Sequence, residues 1–196
     1  FVAESLDIAA AKGYTDAAPL IEEREGAREQ LVAKTGENVN IRRLARIEGD
    51  VLGAYQHGNR IGVVVTLEGG DTELARDIAM HVAASNPQVV NPEDVAEDVV
   101  AKEKEIFMQL NEDKIKGKPE NIVENMIKGR INKFLSEISL VGQAFVKDPD
   151  VTVGKLAEKA GAKIVGFTRY EVGEGIARAE EDFAAEVAAQ VAASKK

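Results

Sequence analysis

The sequence holds two histidines, and neither stands in a spacing that could do chemistry. His57 follows Tyr55-Gln56 at an expected loop tip, and His81 lies within Ala-Met-His-Val-Ala-Ala. Neither belongs to a His-Glu-x-x-His pair, which would set two ring nitrogens on one helix face around zinc. His81 reads as a packed or edge histidine, and His57 as a side chain that touches something outside the chain. Gly154-Lys155 resembles the end of a phosphate loop. Leu156, however, replaces the Ser or Thr that would bind magnesium, and the upstream glycine is missing around Asp150. Gly173-Glu-Gly175 is too short for a dinucleotide fingerprint, and its acid would repel phosphate. Carboxylates could pair by chance as in a glycosidase, but acidic helices supply them anyway. There is no cysteine, so disulfides, thiolate zinc sites and cysteine nucleophiles are excluded. These residues point to a protein that is not an enzyme and that uses no cofactor or metal.

Composition narrows the partners. A net charge of −9 lacks the basic face that displaces counterions from phosphates, which argues against nucleic acid. An acidic surface instead keeps a protein in solution and steers it toward a basic patch. No apolar run approaches the ~20 residues of a membrane helix, and cytoplasmic residence is the simplest expectation. With 196 residues the chain can hold one substantial core or two small ones.

The elements that must carry these residues follow from periodicity. A first helix, apolar at Phe1, Leu6 and Ile8, is expected to end at Lys12-Gly13. A second runs over 18–34 and stops at Thr35-Gly36, where glycine takes the left-handed cap. Residues 39–47 alternate apolar and polar side chains, which predicts a half-buried strand. Two more strands, 50–56 and 60–67, are joined through His57-Gly58-Asn59, where Gly and Asn would supply positive φ. Asp71 or Thr72 caps a helix over 73–85. Asn91-Pro92-Glu93-Asp94 is expected to open another, carrying Val95, Val99, Ile106 and Leu110. After a turn over 111–119, a return helix carries Val123, Ile127, Ile131, Phe134 and Ile138. The narrow seams predict an antiparallel coiled-coil hairpin. A short helix over 153–159, a strand over 163–172 and an Ala-rich terminal helix over 176–193 complete the chain. The last has a thin stripe of Ile176, Phe183, Val187 and Val191.

A duplication underlies this order. Leu31-Val-Ala-Lys-Thr-Gly36 and the strand at Val39 parallel Leu156-Ala-Glu-Lys-Ala-Gly161 and the strand at Ile164. Leu6-Asp-Ile-Ala-Ala-Ala11 parallels Met80-His-Val-Ala-Ala-Ser85. A strand hairpin precedes the second copy only, so a matching hairpin is expected ahead of Phe1. The expected organisation is α+β. A first core subdomain covers 1–49 and a related second one 50–91 with 140–175. A coiled-coil insertion covers 92–139, and a C-terminal helical module 176–196.

Several segments, in shared order and spacing, carry a family resemblance. They include Thr35-Gly-Glu-Asn-Val-Asn-Ile-Arg-Arg43, Glu48-Gly-Asp-Val-Leu-Gly-Ala-Tyr-Gln-His-Gly58 and Arg60-Ile-Gly-Val-Val-Val65. Ile78-Ala-Met-His-Val-Ala-Ala-Ser85, Ser139-Leu-Val-Gly-Gln-Ala-Phe-Val146 and Phe167-Thr-Arg-Tyr-Glu-Val-Gly-Glu-Gly-Ile176 extend it across nearly the whole chain. The sequence resembles the elongation factor Ts family in its long proteobacterial form. The resemblance implies a protein that binds elongation factor Tu and speeds GDP release, with no membrane or small-molecule substrate. It also implies that an N-terminal module and a Thr-Asp-Phe-Val motif lie upstream of Phe1. Family contact positions match Gly36, His57, Val146 and Lys147, and the terminal stripe Ile176, Phe183 and Val187 is expected to dock on the same partner. Thr35 and Lys147 depart from the family pattern. A coiled-coil scaffold or adaptor without exchange activity is the alternative.

Overall fold

The computed structural model describes residues 1–176. Helix α1 (Val2–Lys12) ends in a left-handed Gly13, and α2 (Ala17–Thr35) starts at Asp16, whose side chain accepts from the Ala18 N–H. The two helices are tied by charge as much as by packing. The Arg24 guanidinium donates to Glu4 and Ser5 and lies 5.1 Å from the Phe1 ring centroid.

The main sheet is antiparallel, in the order β1 (Val51–His57), β2 (Ile61–Glu68), β5 (Lys163–Glu171). β2 is its central strand. Val63, Val65 and Leu67 are buried on one face, and Thr66 is buried on the other, which explains the near-continuous apolar run. Helix α3 (Thr72–Ser85) is capped by Asp71, one of the two expected caps, and lays Ala75, Ile78, Ala79 and Val82 on the sheet. It approaches β1 so closely that a Cβ on Gly53 would overlap the Ala75 carbonyl carbon and the Arg76 nitrogen. The β1–β2 turn is entered at Gly58, with φ +56°, but Asn59 keeps a negative φ, contrary to the expected pairing of Gly with Asn.

Three other expectations need correction. Residues 39–47 form no strand. Their better-buried side chains are Val39, Ile41, Leu44 and Ile47. The spacing opens from two to three, so the segment cannot keep one face of a flat ladder, and no described strand pairs with it. The helix expected from Asn91 is broken. Pro92–Asp94 is a single 3-10 turn, Val95 is extended, and α4 (Glu97–Leu110) starts afresh. Finally, the apolar row expected on α4 faces outward. Val99, Ile106 and Leu110 are 37%, 40% and 79% exposed, while Val100, Glu103 and Phe107 form the better-buried row. Val99/Val100 and Ile106/Phe107 are neighbouring apolar pairs, so two registers one residue apart are open to the sequence. The larger Phe107 and the Glu103–Arg130 ion pair, at 2.6 Å, belong to the observed one.

The short α5 (Glu112–Ile115) leads to α6 (Glu120–Ile138), which runs back beside α4 with all five expected positions at least partly buried. At the base, Gln88 N–H donates to the Ile138 carbonyl and Leu140 N–H to the Val89 carbonyl, closing the excursion. A 3-10 turn (Leu140–Gly142) then enters a small antiparallel hairpin, β3 (Ala144–Phe145) and β4 (Asp148–Thr152), which no sequence pattern announced. Helix α7 (Val153–Lys159) follows, capped by Thr152, and Gly161 at φ +64° turns the chain into β5. Of the proposed duplication, the helix and left-handed glycine recur at Gly36 and Gly161, but the strand follows only the second. The architecture is thus mixed helix and antiparallel sheet. No described helix is long and apolar enough to cross a membrane.

Candidate functional site: three exposed tips

The described site residues occupy separate tips, and among the described residues no hydrogen bond joins one tip to another. Gly36 is the left-handed cap of α2, at φ +72°, with its N–H donating to the Val32 carbonyl; a Cβ there would meet open space. Its local role is the cap, and its exposed surface is free to meet a partner.

His57 is the last residue of β1 and is exposed. Tyr55, two residues earlier, lies on the same strand face, with its hydroxyl 3.3 Å from His57 Nδ1. When that hydroxyl donates, Nδ1 is the acceptor and the outward Nε2 carries the proton, ready to donate to an external group.

His57 lies opposite Ile61, which lies opposite Glu171. The same end of the sheet therefore holds a charged cluster. Arg169, its side chain 8% exposed, donates to Glu171 at 2.8 Å and lies 3.6 Å from Glu174, while Arg60 reaches Glu171 at 3.3 Å. The Arg169 hydrogen bond holds the Glu171 carboxyl below its ordinary pKa. Arg42 and Arg43 dock here too, donating to the Glu174 carbonyl and carboxylate. The irregular segment after Gly36 is thereby fixed to the end of the sheet that carries His57. Between that segment, the start of α1 and the open sheet face lies a cleft of 690 Å³, lined by Leu6, Ile47, Ala54, Val64 and Tyr170 among others.

Val146 and Lys147 are the two residues connecting β3 to β4. Phe145 is buried, and Val146 beside it is 47% exposed. The support under this tip is His81, wholly buried on α3. Gln143 Nε2 donates to the Glu137 carbonyl, which turns Gln143 Oε1 toward His81 Nε2 at 2.9 Å. The imidazole therefore carries its proton on Nε2, and Nδ1 accepts the Val146 N–H at 3.2 Å. Burial pushes the His81 pKa below its ordinary value, against a smaller upward pull from Gln143. Lys147 Nζ pairs with Asp77 at 2.6 Å. The packed reading of His81 holds, but its partners were out of reach of sequence reasoning. The spacing Ile78–His81–Val82 marks a buried helix face; Gln143 is 62 positions away.

Ile176 is 57% exposed just after the Gly173–Gly175 turn. Phe183 and Val187 lie outside the described residues. Among the described residues no cluster of His, Asp and Glu is arranged to hold a metal ion.

Helices set against an antiparallel sheet, with loop tips carried on that frame, define an α+β protein of a kind that comparison with known sequences assigns to the translation elongation factors. The family model described as Elongation factor TS matches residues 3–174. Proteins named elongation factor Ts from Stutzerimonas stutzeri A1501, Azotobacter vinelandii DJ and Pseudomonas aeruginosa LESB58 are 74%, 73% and 72% identical to it. Each match runs over 196 residues, all of this chain and 68% of the relative. The chain belongs to the elongation factor Ts family, and its role lies in translation elongation.

Proposed function

We propose that this chain acts as a guanine nucleotide exchange factor for elongation factor Tu, through protein–protein contacts at Gly36, His57, Val146 and Lys147. The stripe Ile176, Phe183 and Val187 would add to the same docking. Residues 1–49, and 50–91 with 140–175, act as two related core subdomains. Residues 92–139 act as a coiled-coil insertion, and 176–196 as a C-terminal module. The observation that carries this reading is the pair of tips at His57 and Val146. Each is outward-facing, and each is supported from beneath by groups that orient it, Tyr55 for one and His81 for the other. Such preorganised, exposed groups are what a contact surface needs, because little ordering remains to be done on binding.

Exchange requires that the chain bind nucleotide-free elongation factor Tu more tightly than the GDP form, since equal affinity for both would shift nothing. By linkage, GDP must weaken the chain's binding by the same factor by which the chain weakens GDP. Release of a fluorescent GDP analogue from elongation factor Tu, at saturating chain, tests this beside a binding titration. Faster release, with affinity reduced by added GDP, supports exchange. Binding that leaves GDP release unchanged supports the adaptor reading instead.

A further inference from the structure

The β3–β4 connection is not a self-supporting turn. Two-residue hairpin loops ordinarily match strand twist by placing one or both residues at positive φ. Val146 and Lys147 do neither, since the one described non-glycine residue with positive φ is Asn86. The hairpin is also very short, with a register shift between Ala144 and Phe145. A β-branched valine left half-exposed on such a turn needs an external hold. Helix α3 supplies two, one turn apart. His81 Nδ1 receives the Val146 N–H, and Asp77 receives the Lys147 ammonium.

The proton arrangement makes the first hold directional. Glu137, near the end of α6, fixes the Gln143 amide; Gln143 fixes the His81 tautomer; that tautomer leaves Nδ1 free to accept. From this we infer that His81, with Gln143 behind it, is a positioning residue for partner recognition. It sets the Val146 tip for docking, while Lys147 belongs to the frame through Asp77. The inference rests on the reading of Val146 as a contact to elongation factor Tu.

A double-mutant cycle in the full chain tests it, with affinity for nucleotide-free elongation factor Tu as the readout. Val146→Ala tests the contact itself and should weaken binding about tenfold. His81→Phe keeps the ring volume but removes the acceptor, and should cost a similar factor. His81→Asn can still offer an oxygen to the Val146 N–H and should recover most of the affinity. The Val146→Ala/His81→Phe double variant should bind no worse than either single one, because the second change acts through a contact already lost. Gln143→Ala, at a partly exposed position, should cost about threefold, and it keeps the test open if His81→Phe does not fold. A normal loss for Val146→Ala with additive losses in the double variant overturns the positioning role alone. Undiminished affinity of Val146→Ala overturns the contact reading, and this inference with it.

Discussion

The guanidinium carbon of Arg43 lies 4.3 Å from the ring centroid of Tyr170. This stacking holds an irregular segment, which has no ladder of its own, against the edge of a regular sheet. A cation over an exposed aromatic ring contributes about 0.5–1 kcal/mol, and the Arg43–Glu174 ion pair adds to the hold. Arg43→Ala should therefore speed proteolytic cleavage within residues 38–49 while leaving β2 and α3 uncut. Limited thermolysin digestion followed by mass spectrometry reads this directly; unchanged cleavage rates would mean that Val39, Ile41, Leu44 and Ile47 suffice to anchor the segment.

His57→Ala should weaken binding to elongation factor Tu by ~1 kcal/mol or more and leave the melting temperature nearly unchanged. The residue is exposed, and among the described residues its side-chain hydrogen bond is to Tyr55 alone. Tyr55→Phe should have a smaller effect of the same sign, because it frees the tautomer without removing the ring. Calorimetric titration beside thermal unfolding separates the two. Lost stability with retained affinity would make His57 structural.

Gly53→Ala should destabilise the chain by about 1–3 kcal/mol, the range for forced overpacking. The methyl would be driven into the backbone of α3 at Ala75 and Arg76, which cannot yield as a flexible side chain can. Urea unfolding gives the number. Gly62→Ala, on a neighbouring strand with open space around the added carbon, is the matched control.

Shortening the helical pair should leave the core intact. Glu103 and Arg130 meet side chain to side chain, so residues 104–129 can be replaced by a short Gly-Ser turn without stretching either helix. The last turns of α6 and the bridge from Val89 to Ser139 remain. A cooperative unfolding transition of undiminished sharpness is expected, and its loss would show that the outer part of the pair belongs to the main core.

Acid should weaken the fold through His81. Its folded pKa lies below the ordinary value of 6.5, because burial disfavours the cation. As pH falls below about 6.5, the unfolded chain takes up this proton before the folded one does, so stability falls with pH. The contribution is complete above the unfolded value and is lost as pH drops through the folded one. Asp77 and Lys147 lie on the same support, and both are kept in the His81→Asn variant. Urea midpoints between pH 7.5 and 5.5 should decline more for the native chain than for His81→Asn, and parallel declines would remove His81 as the cause.

What was legible in the sequence divides along physical lines. Helix ends showed through their caps: Gly13, Gly36 and Asp71 act locally, and the structure keeps each one. The β1–β2 hairpin was readable from its turn at Gly58. The segment at 39–47 misled because its alternation persists for only the first few residues, and a strand is stable only with a neighbour. On α4, two adjacent apolar rows left the facing choice to tertiary packing. The tip at His57 came from its expected turn as well as from a family resemblance, that at Val146 from the resemblance alone, and their supports differ in kind. Tyr55 sits two residues from His57 and was in view. His81, Gln143 and Asp77 meet Val146 and Lys147 only after the chain has passed through the helical pair, so no local pattern could link them.

The antiparallel pairing of β2 with β5 has a consequence for synthesis. Glu68 and Lys163, one of its partner pairs, are 95 positions apart. At roughly 5–20 residues per second, ribosomal elongation leaves β2 waiting on the order of 5–20 s for its neighbour to be made. During that interval α3 can already cover one face, because it follows the hairpin directly, but the hydrogen-bonding edge of β2 stays open. An unpaired apolar edge is the usual starting point for strand addition between chains. The nascent chain thus stays exposed to aggregation until β5 has been translated, and an engineered variant that slows elongation between residues 69 and 163 would lengthen that exposure without altering the finished fold.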